Sequence, residues 1–403
     1  MKRKIFYGWW VVVSCFLIGL YVSSVIFFGF TAFFEPLVKE FGWSYATISF
    51  AASLRGLEMG ILAPLVGVLV DRFGSRKLIL CGTITVGCGL ILFSLTQTLF
   101  IFYLSFFLLA FGAGGCTSVV TMTAVARWFD KNLGKALGVM TSGFGASGLF
   151  IPLIVWLIDV YHWRTALIIL GVGMWAMGVP LSFVIRNKPE HHRYSADETF
   201  ENGQIPHHDV RHSKVEMRFK EAIKTKAFLL LNLVETIRIM IAAAVITHIM
   251  PYLSSLGLSR PTAGWVAAAI PLFSIIGRFG FGWLCDVFNK RYTMAITYGL
   301  MGLGMLAFCY AQERLFLFLF LIFFSPGFGG SNVARASILN EYFKRDLFGK
   351  MLGIVMGSAS MGGIIGPTLA GWVFDLSGSY HFVWLAFCGL FGLTIPLVLK
   401  IKP

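Results

Sequence analysis

The chain has 403 residues, of which 57% are apolar or aromatic and only 13% are charged. Soluble domains carry roughly 25% charged residues, so this composition excludes an ordinary soluble enzyme. The formal net charge of +14 raises the question of a nucleic-acid partner, which the positions of the basic residues decide.

Long stretches without charge predict helices that cross a membrane. Residues 78–126 contain no Asp, Glu, Lys or Arg. As one helix they would be roughly 73 Å long, more than twice the ~30 Å apolar core of a bilayer. This stretch therefore folds back once, and the polar triplet at residues 96–98 is its predicted turn.

Over the whole chain this pattern predicts twelve membrane-spanning helices in two groups of six, which we number as spans 1 to 12. The first group covers residues 6–34, 44–70, 78–96, 100–126, 136–158 and 165–186. The second group covers residues 227–254, 262–285, 292–311, 315–338, 351–374 and 379–399. We therefore predict an all-α integral membrane protein with a six-helix bundle at 1–186, a polar cytoplasmic linker at 187–226 and a second six-helix bundle at 227–403.

The basic residues predict the orientation. With both termini inside, the cytoplasmic segments hold 25 Lys and Arg residues, whereas the outer loops hold only Lys39, Arg164, Arg260 and Arg314. Positively charged loops stay in the cytoplasm, so this asymmetry predicts a multi-pass protein of the cell (inner) membrane with both termini cytoplasmic. The net positive charge is then explained by the orientation in the membrane, with anionic membrane lipid as the partner of the basic loops. A nucleic-acid partner is not needed to explain it.

The two halves of the chain repeat each other at an offset of 215 residues. Residues 67–76 align with 282–291, and residues 128–138 align with 342–353 when Phe348 is treated as one insertion. Each aligned stretch occupies the same place in its half. Duplicated six-helix halves on a polar linker are typical of secondary transporters.

At these motifs the chain resembles the major facilitator superfamily. Between spans 2 and 3 it reads Gly67-x-x-x-Asp71-Arg72-x-Gly74-x-Arg76, similar to the signature of that family in that loop. The opening residues 7–10 (Tyr-Gly-Trp-Trp) and the Trp-Phe pair at 128–129 resemble, within it, the monocarboxylate transporter and oxalate/formate exchanger group. The resemblance covers the whole chain and implies the major facilitator fold and alternating access.

The resemblance also implies a gating role for charged loop residues on the cytoplasmic side. The residues concerned are Gly67, Asp71, Arg72, Gly74 and Arg76, together with Asp286 at the equivalent place in the second half. The alternative is that they only anchor the topology.

Ionisable residues inside spans indicate functional sites, since a charge in the bilayer core costs at least ~2.5 kcal/mol. Two acids lie within spans, and each has an arginine three positions away: Glu58 with Arg55, and Glu235 with Arg238. Residues at this spacing share a helix face, so we interpret both pairs as local ion pairs, with proton coupling through Glu58 or Glu235 as the alternative.

Arg278 in span 8 has no acid nearby in the sequence and lies eight residues, about 12 Å, from Asp286, near the middle of the bilayer. Its planar guanidinium matches a carboxylate with two hydrogen bonds. In the resembling family an arginine of the eighth helix binds the substrate carboxylate, and Arg278 lies at that position. The alternative is an ion pair with Glu235 on another helix.

Three polar residues are candidates to complete the site around this arginine: His248 in span 7, Ser274 in span 8 and Asn332 in span 10. His248 is also a candidate proton carrier, or it only bonds another helix. Animal monocarboxylate transporters have a first-helix lysine and an eighth-helix aspartate in their proton coupling. Here Phe28 and Ser274 stand at those positions, so that relay is absent, and Phe28 is included among the substrate contacts.

These observations predict a secondary active transporter of small monocarboxylates such as L-lactate, acting as a monomer and coupled to a proton. An exchanger of the oxalate/formate kind, with Arg335 as second cation, is one alternative, although span 11 lacks the lysine found there in that group. A drug/proton antiporter and a non-transporting sensor are others. The sequence has no phosphate-binding loop, nucleophile motif or helix motif for a metal, so neither an enzyme nor a cofactor or metal site is expected.

Overall fold

A computed structural model describes residues 6–54, 66, 69–70, 72–116, 118–129, 133–186, 223–342 and 345–401. All regular secondary structure in these ranges is helical. Eleven helices in them are long and apolar enough to cross a membrane. The all-α membrane fold predicted from the sequence is therefore confirmed.

The described spans of the first half are Tyr7–Phe41, Ser75–Ser94, Leu99–Ala126, Lys135–Tyr161 and Trp163–Val184, which are spans 1, 3, 4, 5 and 6. Span 2 begins as the helix Tyr45–Ser53 and then enters residues outside the described ranges. Spans 7 to 12 are Lys226–Ser255, Arg260–Val287, Lys290–Cys309, Arg314–Tyr342, Met351–Ser377 and His381–Leu399. The chain turns between Ser94 and Leu99, where the polar triplet predicts it.

The helix pairs that pack within the first half recur in the second. Span 1 packs on span 5 as span 7 packs on span 11, and span 3 packs on spans 4 and 6 as span 9 packs on spans 10 and 12. Between the halves, span 2 packs on span 11 and span 5 packs on span 8, which are equivalent pairs under the repeat, and span 1 packs on span 7. Such pairing is typical of two repeats related by a pseudo-twofold axis. The limits of the linker stay a prediction, because residues 187–222 lie outside the described ranges.

Spans 1 and 5 both depart from α-helical geometry where they touch. Span 1 contains the π-helical segment Ser23–Phe28 followed by the 3-10 turn Gly29–Phe33. Span 5 contains the 3-10 turn Ser147–Phe150. The Ser24 hydroxyl lies 3.0 Å from the main-chain oxygen of Ser147, which ties the two irregular segments together. Irregular turns inside long helices often mark functional sites.

We call the end of the bundle that carries loops 1–2, 3–4, 5–6, 7–8, 9–10 and 11–12 the outer face, after the predicted orientation. The opposite end, with loops 2–3, 4–5, 8–9 and 10–11, is the inner face.

Candidate substrate site

Arg278 lies in span 8 and faces span 5 of the other half. Its Nη1 donates to the main-chain oxygen of Thr141 at 3.1 Å, and its guanidinium carbon lies 5.4 Å from the ring centroid of Phe144. Its Nε is buried and has no hydrogen-bond partner in the described ranges. None of the ion pairs formed by described residues includes Arg278. This cation therefore has donor capacity left for an anion.

Close helix packing directs Arg278 toward span 5. The preceding residue, Gly277, lies so close to the carbonyl of Pro326 in span 10 that a Cβ would clash there. Because successive residues of an α-helix are turned by about 100°, the side chain that follows this contact leaves the span 8–span 10 interface.

Phe28 of span 1 and Phe144 of span 5 form an apolar wall beside the arginine. Their ring centroids are 5.3 Å apart at an interplanar angle of 70°, and Phe27 lies 6.1 Å from Phe144 on the same side. Phe28 is itself buried. Phe28 thus contacts Phe144, and Phe144 in turn lies against the Arg278 guanidinium.

Sequence reasoning missed Phe144, although its neighbours carried a signal. It stands between Gly143, which packs on the Phe16 carbonyl of span 1, and Gly145, which packs on Ile275 of span 8. Two glycines that allow close contact on both sides leave the aromatic ring between them as the only side chain of the tripeptide. The same tripeptide occurs at 280–282 and 327–329, so this signal alone did not identify Phe144.

The hydrogen bonds of Ser274 and Asn332 go to partners other than Arg278. The Ser274 hydroxyl is buried and donates to the main-chain oxygen of Pro271 on its own helix at 2.6 Å. Asn332 Oδ1 accepts from Arg238 Nη2 at 3.3 Å, inside the second half. Their roles as substrate contacts stay predictions, and both would need to change partners.

His248 is buried where the two halves meet. Its Nε2 lies 2.8 Å from the main-chain oxygen of Pro367 in span 11 and 2.9 Å from Ser49 Oγ in span 2, and its Nδ1 lies 2.9 Å from the Tyr380 hydroxyl. A carbonyl oxygen only accepts, so we assign the proton to Nε2 and let Nδ1 accept from Tyr380. The neutral imidazole thus links spans 2, 7 and 11.

His248 and Arg278 lie at different depths. His248 is seven residues, roughly 10 Å, from the end of span 7 at the outer face, whereas Arg278 is eighteen residues, roughly 27 Å, from the start of span 8 at that face. The structure therefore does not place the imidazole beside the arginine.

Glu235 is buried among donors of its own half. Its Oε2 accepts from Arg238 Nη2 at 2.8 Å and from Arg335 Nη1 at 3.1 Å, and its Oε1 accepts from the Tyr298 hydroxyl at 2.7 Å. The ion pair with Arg238 agrees with the three-residue spacing, and the alternative pair with Arg278 is not formed. A carboxylate with three donors is typical of a structural ion pair.

Arg260, the first residue of span 8, joins the halves at the outer face. Its Nε donates to Asp159 Oδ1 at 3.0 Å, its Nη1 to Glu35 Oε2 at 3.2 Å and its Nη2 to the main-chain oxygen of Ala32 at 3.2 Å. Spans 1 and 5 of the first half are therefore held to the start of span 8.

A second contact at the outer face is the counterpart of the first under the internal repeat. Asp375 at the end of span 11 accepts from the main-chain N–H groups of Tyr45 and Ala46, at 2.9 Å each. Tyr45 starts span 2 and lies one repeat offset before Arg260. In both contacts an acid near the end of one helix binds the start of a helix in the other half, through the Arg260 side chain in one and through main-chain N–H groups in the other, so the structure is closed at the outer face.

The structure describes only some of the predicted gating residues. Glu58, Gly67 and Asp71 lie outside the described ranges. Gly74 has φ +80° and ψ 157°, a conformation that essentially only glycine adopts, at the start of span 3. Arg72 and Asp286 are exposed, and the Arg76 guanidinium lies 5.1 Å from the Phe183 ring centroid. Their gating role stays a prediction.

Comparisons with known proteins agree with this architecture. A family model described as Major Facilitator Superfamily matches residues 15–250 and 236–403. Monocarboxylate transporter 13 of Rattus norvegicus is 26% identical over 384 residues, covering 93% of this chain and 84% of its own length. Monocarboxylate transporter 12 of Mus musculus is 27% identical over 410 residues, covering 95% and 82%. The solved structure of the nucleoside transporter NupG superimposes with a TM-score of 0.77 at 13% identity, covering 98% of this chain and all of that one, which shows a shared fold.

Proposed function

Because the chain belongs to the major facilitator superfamily of membrane transporters, we propose that it carries small monocarboxylates such as L-lactate, together with a proton, by alternating access. The inner face is the cytoplasmic one in this proposal, and Arg278 is the anchor of the substrate carboxylate.

The observation that carries the proposal is the missing counterion of Arg278. Arg238 and Arg335 are buried within the described spans and both contact Glu235, whereas Arg278 is half-buried. Arg278 has only a carbonyl oxygen and an aromatic face, with a buried Nε left unpartnered in the described ranges. A guanidinium within a membrane span favours an anionic partner, and a carboxylate supplies two acceptors in the plane of the guanidinium. The same arrangement opposes a cationic drug.

The surroundings of Arg278 support one carboxylate on an apolar body. Phe28 and Phe144 offer rings and no hydrogen-bond donor. A small dicarboxylate such as oxalate would need a second cation a few ångströms away. Arg335 on span 10 is bound by Glu235 of span 7, whereas Arg278 faces span 5, so the two guanidinium groups have different neighbours. The monocarboxylate transporters among the relatives favour the same substrate class.

His248 is the proton carrier in this proposal. Of the three candidates, Glu58 lies outside the described ranges, and Glu235 already accepts from two guanidinium groups and a hydroxyl. As bonded here, His248 accepts at Nδ1 from Tyr380, and its Nε2 donates to Pro367 of its own half and faces Ser49 of the other half. Protonation turns Nδ1 into a donor, so the Tyr380 hydroxyl has to reorient, and it places a positive charge where spans 2, 7 and 11 meet. Proton binding is thereby linked to opening at the outer face.

The test of the substrate class is counterflow in proteoliposomes. Vesicles loaded with unlabelled L-lactate, acetate, oxalate or a lipophilic cation are diluted into labelled L-lactate without a proton gradient. Lactate and acetate should drive uptake of label, whereas oxalate and the cation should not. Arg278→Gln should abolish counterflow, and Arg314→Gln, at the exposed start of span 10, should leave it unchanged. Counterflow driven by oxalate, or preserved in Arg278→Gln, would overturn the proposal.

A further inference from the structure

The cluster around Glu235 holds more positive than negative charge. Arg238 and Arg335 share this one carboxylate, and the fourth partner, Tyr298, is neutral as a donor. The described ranges contain no second acid in an ion pair with either arginine. Arg238 and Glu235 are fully buried, and Arg335 is 8% exposed. A net positive charge is thus enclosed in the second half, where solvation by water does not offset it.

The guanidinium of Arg335 has hydrogen-bond donors that are not all used. Arg335 Nη1 is used by Glu235 at 3.1 Å, but Arg335 Nε is buried and has no partner among the described residues. Nε and one Nη of a guanidinium form the planar fork that takes both oxygens of a carboxylate. The ion pair with Glu235 fixes the orientation of the guanidinium, so this fork is already positioned before any ligand arrives.

Arg238 does not have the same free capacity. Its Nη1 donates to Ser331 Oγ at 3.2 Å and its Nη2 donates to Glu235 Oε2 and to Asn332 Oδ1. It contributes charge, while Arg335 offers the donors. The half-buried amide of Asn332 borders the pair and adds a polar wall.

We infer that Arg335, supported by Arg238 and Asn332, forms a second binding site for a small carboxylate, separate from Arg278. The two arginines lie on different spans and point toward different neighbours, span 7 for Arg335 and span 5 for Arg278. Arg335 is seven residues from the inner end of span 10, and Arg278 is nine residues from the inner end of span 8. An anion leaving Arg278 for the inner face can be held at Arg335 before release. The site is a binding property of the second half and does not depend on lactate being the transported acid.

The experiment uses formate, the smallest carboxylate, and a full-length parent carrying Arg278→Gln, so that the proposed substrate anchor is removed. Broadening of the formate proton resonance is followed in chloride-free buffer with protein in nanodiscs. Three heavy atoms limit the affinity to about millimolar. The parent should show saturable formate binding, and addition of Arg335→Gln should abolish it. Absence of saturable binding in the parent, or equal binding in both proteins, would overturn the inference.

Two further measurements test whether binding depends on the planar guanidinium rather than on its charge alone, and whether its loss is due to misfolding. Arg335→Lys keeps the positive charge beside Glu235 but has no planar fork, so formate affinity should fall at least fivefold. Equal affinity in Arg335→Lys would contradict the fork. Arg335→Gln should unfold no earlier than the parent when formate is absent, because Glu235 then faces one arginine and the cluster is neutral. Chloride that displaces formate at equal concentration would show a site for any anion and refute a carboxylate site.

Discussion

The contact of Arg260 with Asp159 and Glu35 should control closure at the outer face. Replacing Arg260 by alanine removes both ion pairs and the hydrogen bond to Ala32, all of which join the halves. Other contacts there, such as the Asp375 cap on span 2, remain. The variant should therefore fold normally and populate the outward-open state more often.

The free energy lost in Arg260→Ala follows from the solvent exposure of the three side chains. The side chains are 21% exposed for Arg260, 14% for Glu35 and 39% for Asp159. Pairs this accessible to water contribute about 0.2–1 kcal/mol each, and Asp159 belongs at the lower end. With the hydrogen bond to Ala32, the loss is about 1.4 kcal/mol, which changes the ratio of open to closed molecules about tenfold.

Spin labels on the outer loops of the two halves measure this ratio. Leu95 and Tyr310 are exposed between spans 3 and 4 and between spans 9 and 10, and the seven native cysteines are replaced first. The matched control is Arg164→Ala, which breaks a 2.6 Å ion pair with Glu40 inside the first half. Arg260→Ala should enlarge the long-distance population about tenfold, and Arg164→Ala should leave it unchanged. An unchanged distribution in Arg260→Ala, or an equal change in both, would refute the reasoning.

Three further variants test other parts of the account. Gly148→Leu places a side chain against the Ala268 carbonyl of the other half. Uptake should be lost while the thermal unfolding temperature stays near that of wild type. Loss of the folded state would contradict this prediction. His248→Gln should lose uptake driven by a proton gradient but keep counterflow, and retained gradient-driven uptake would exclude the imidazole as proton carrier. Tyr298→Phe removes one donor to Glu235 and should cost about 1 kcal/mol of stability, seen as a lower unfolding temperature, with transport unchanged.

The spans were predictable because lipid imposes a simple rule on the sequence. A helix within the bilayer needs about 20 apolar residues, so charge-free runs locate spans without knowledge of their packing. The residues at which the spans end were less predictable. Span 1 is expected to end at residue 34 but continues to Phe41, because Glu35 and Lys39 lie at the outer end, where charged side chains reach water or a partner.

Single residues of the candidate site were predictable from the sequence, but the contacts between them were not. Arg278 stood out because a mid-span charge without a nearby acid is unusual. Its contacts with Phe144 and Thr141 depend on how span 5 of one half packs on span 8 of the other, which hydropathy does not encode. For the same reason, the sequence could not show that His248 belongs to the outer closure or that Arg335 shares Glu235 with Arg238.

The most direct test of the central claim is uptake of labelled L-lactate into proteoliposomes under an inward proton gradient, compared among wild type, Arg278→Gln and Arg278→Lys. The account predicts accumulation above equilibrium in wild type that collapses with the gradient. It predicts no accumulation in Arg278→Gln and a strongly weakened one in Arg278→Lys, where the charge is kept but the planar fork is lost. Accumulation in Arg278→Gln equal to wild type would contradict the account, because the substrate carboxylate would then be bound elsewhere.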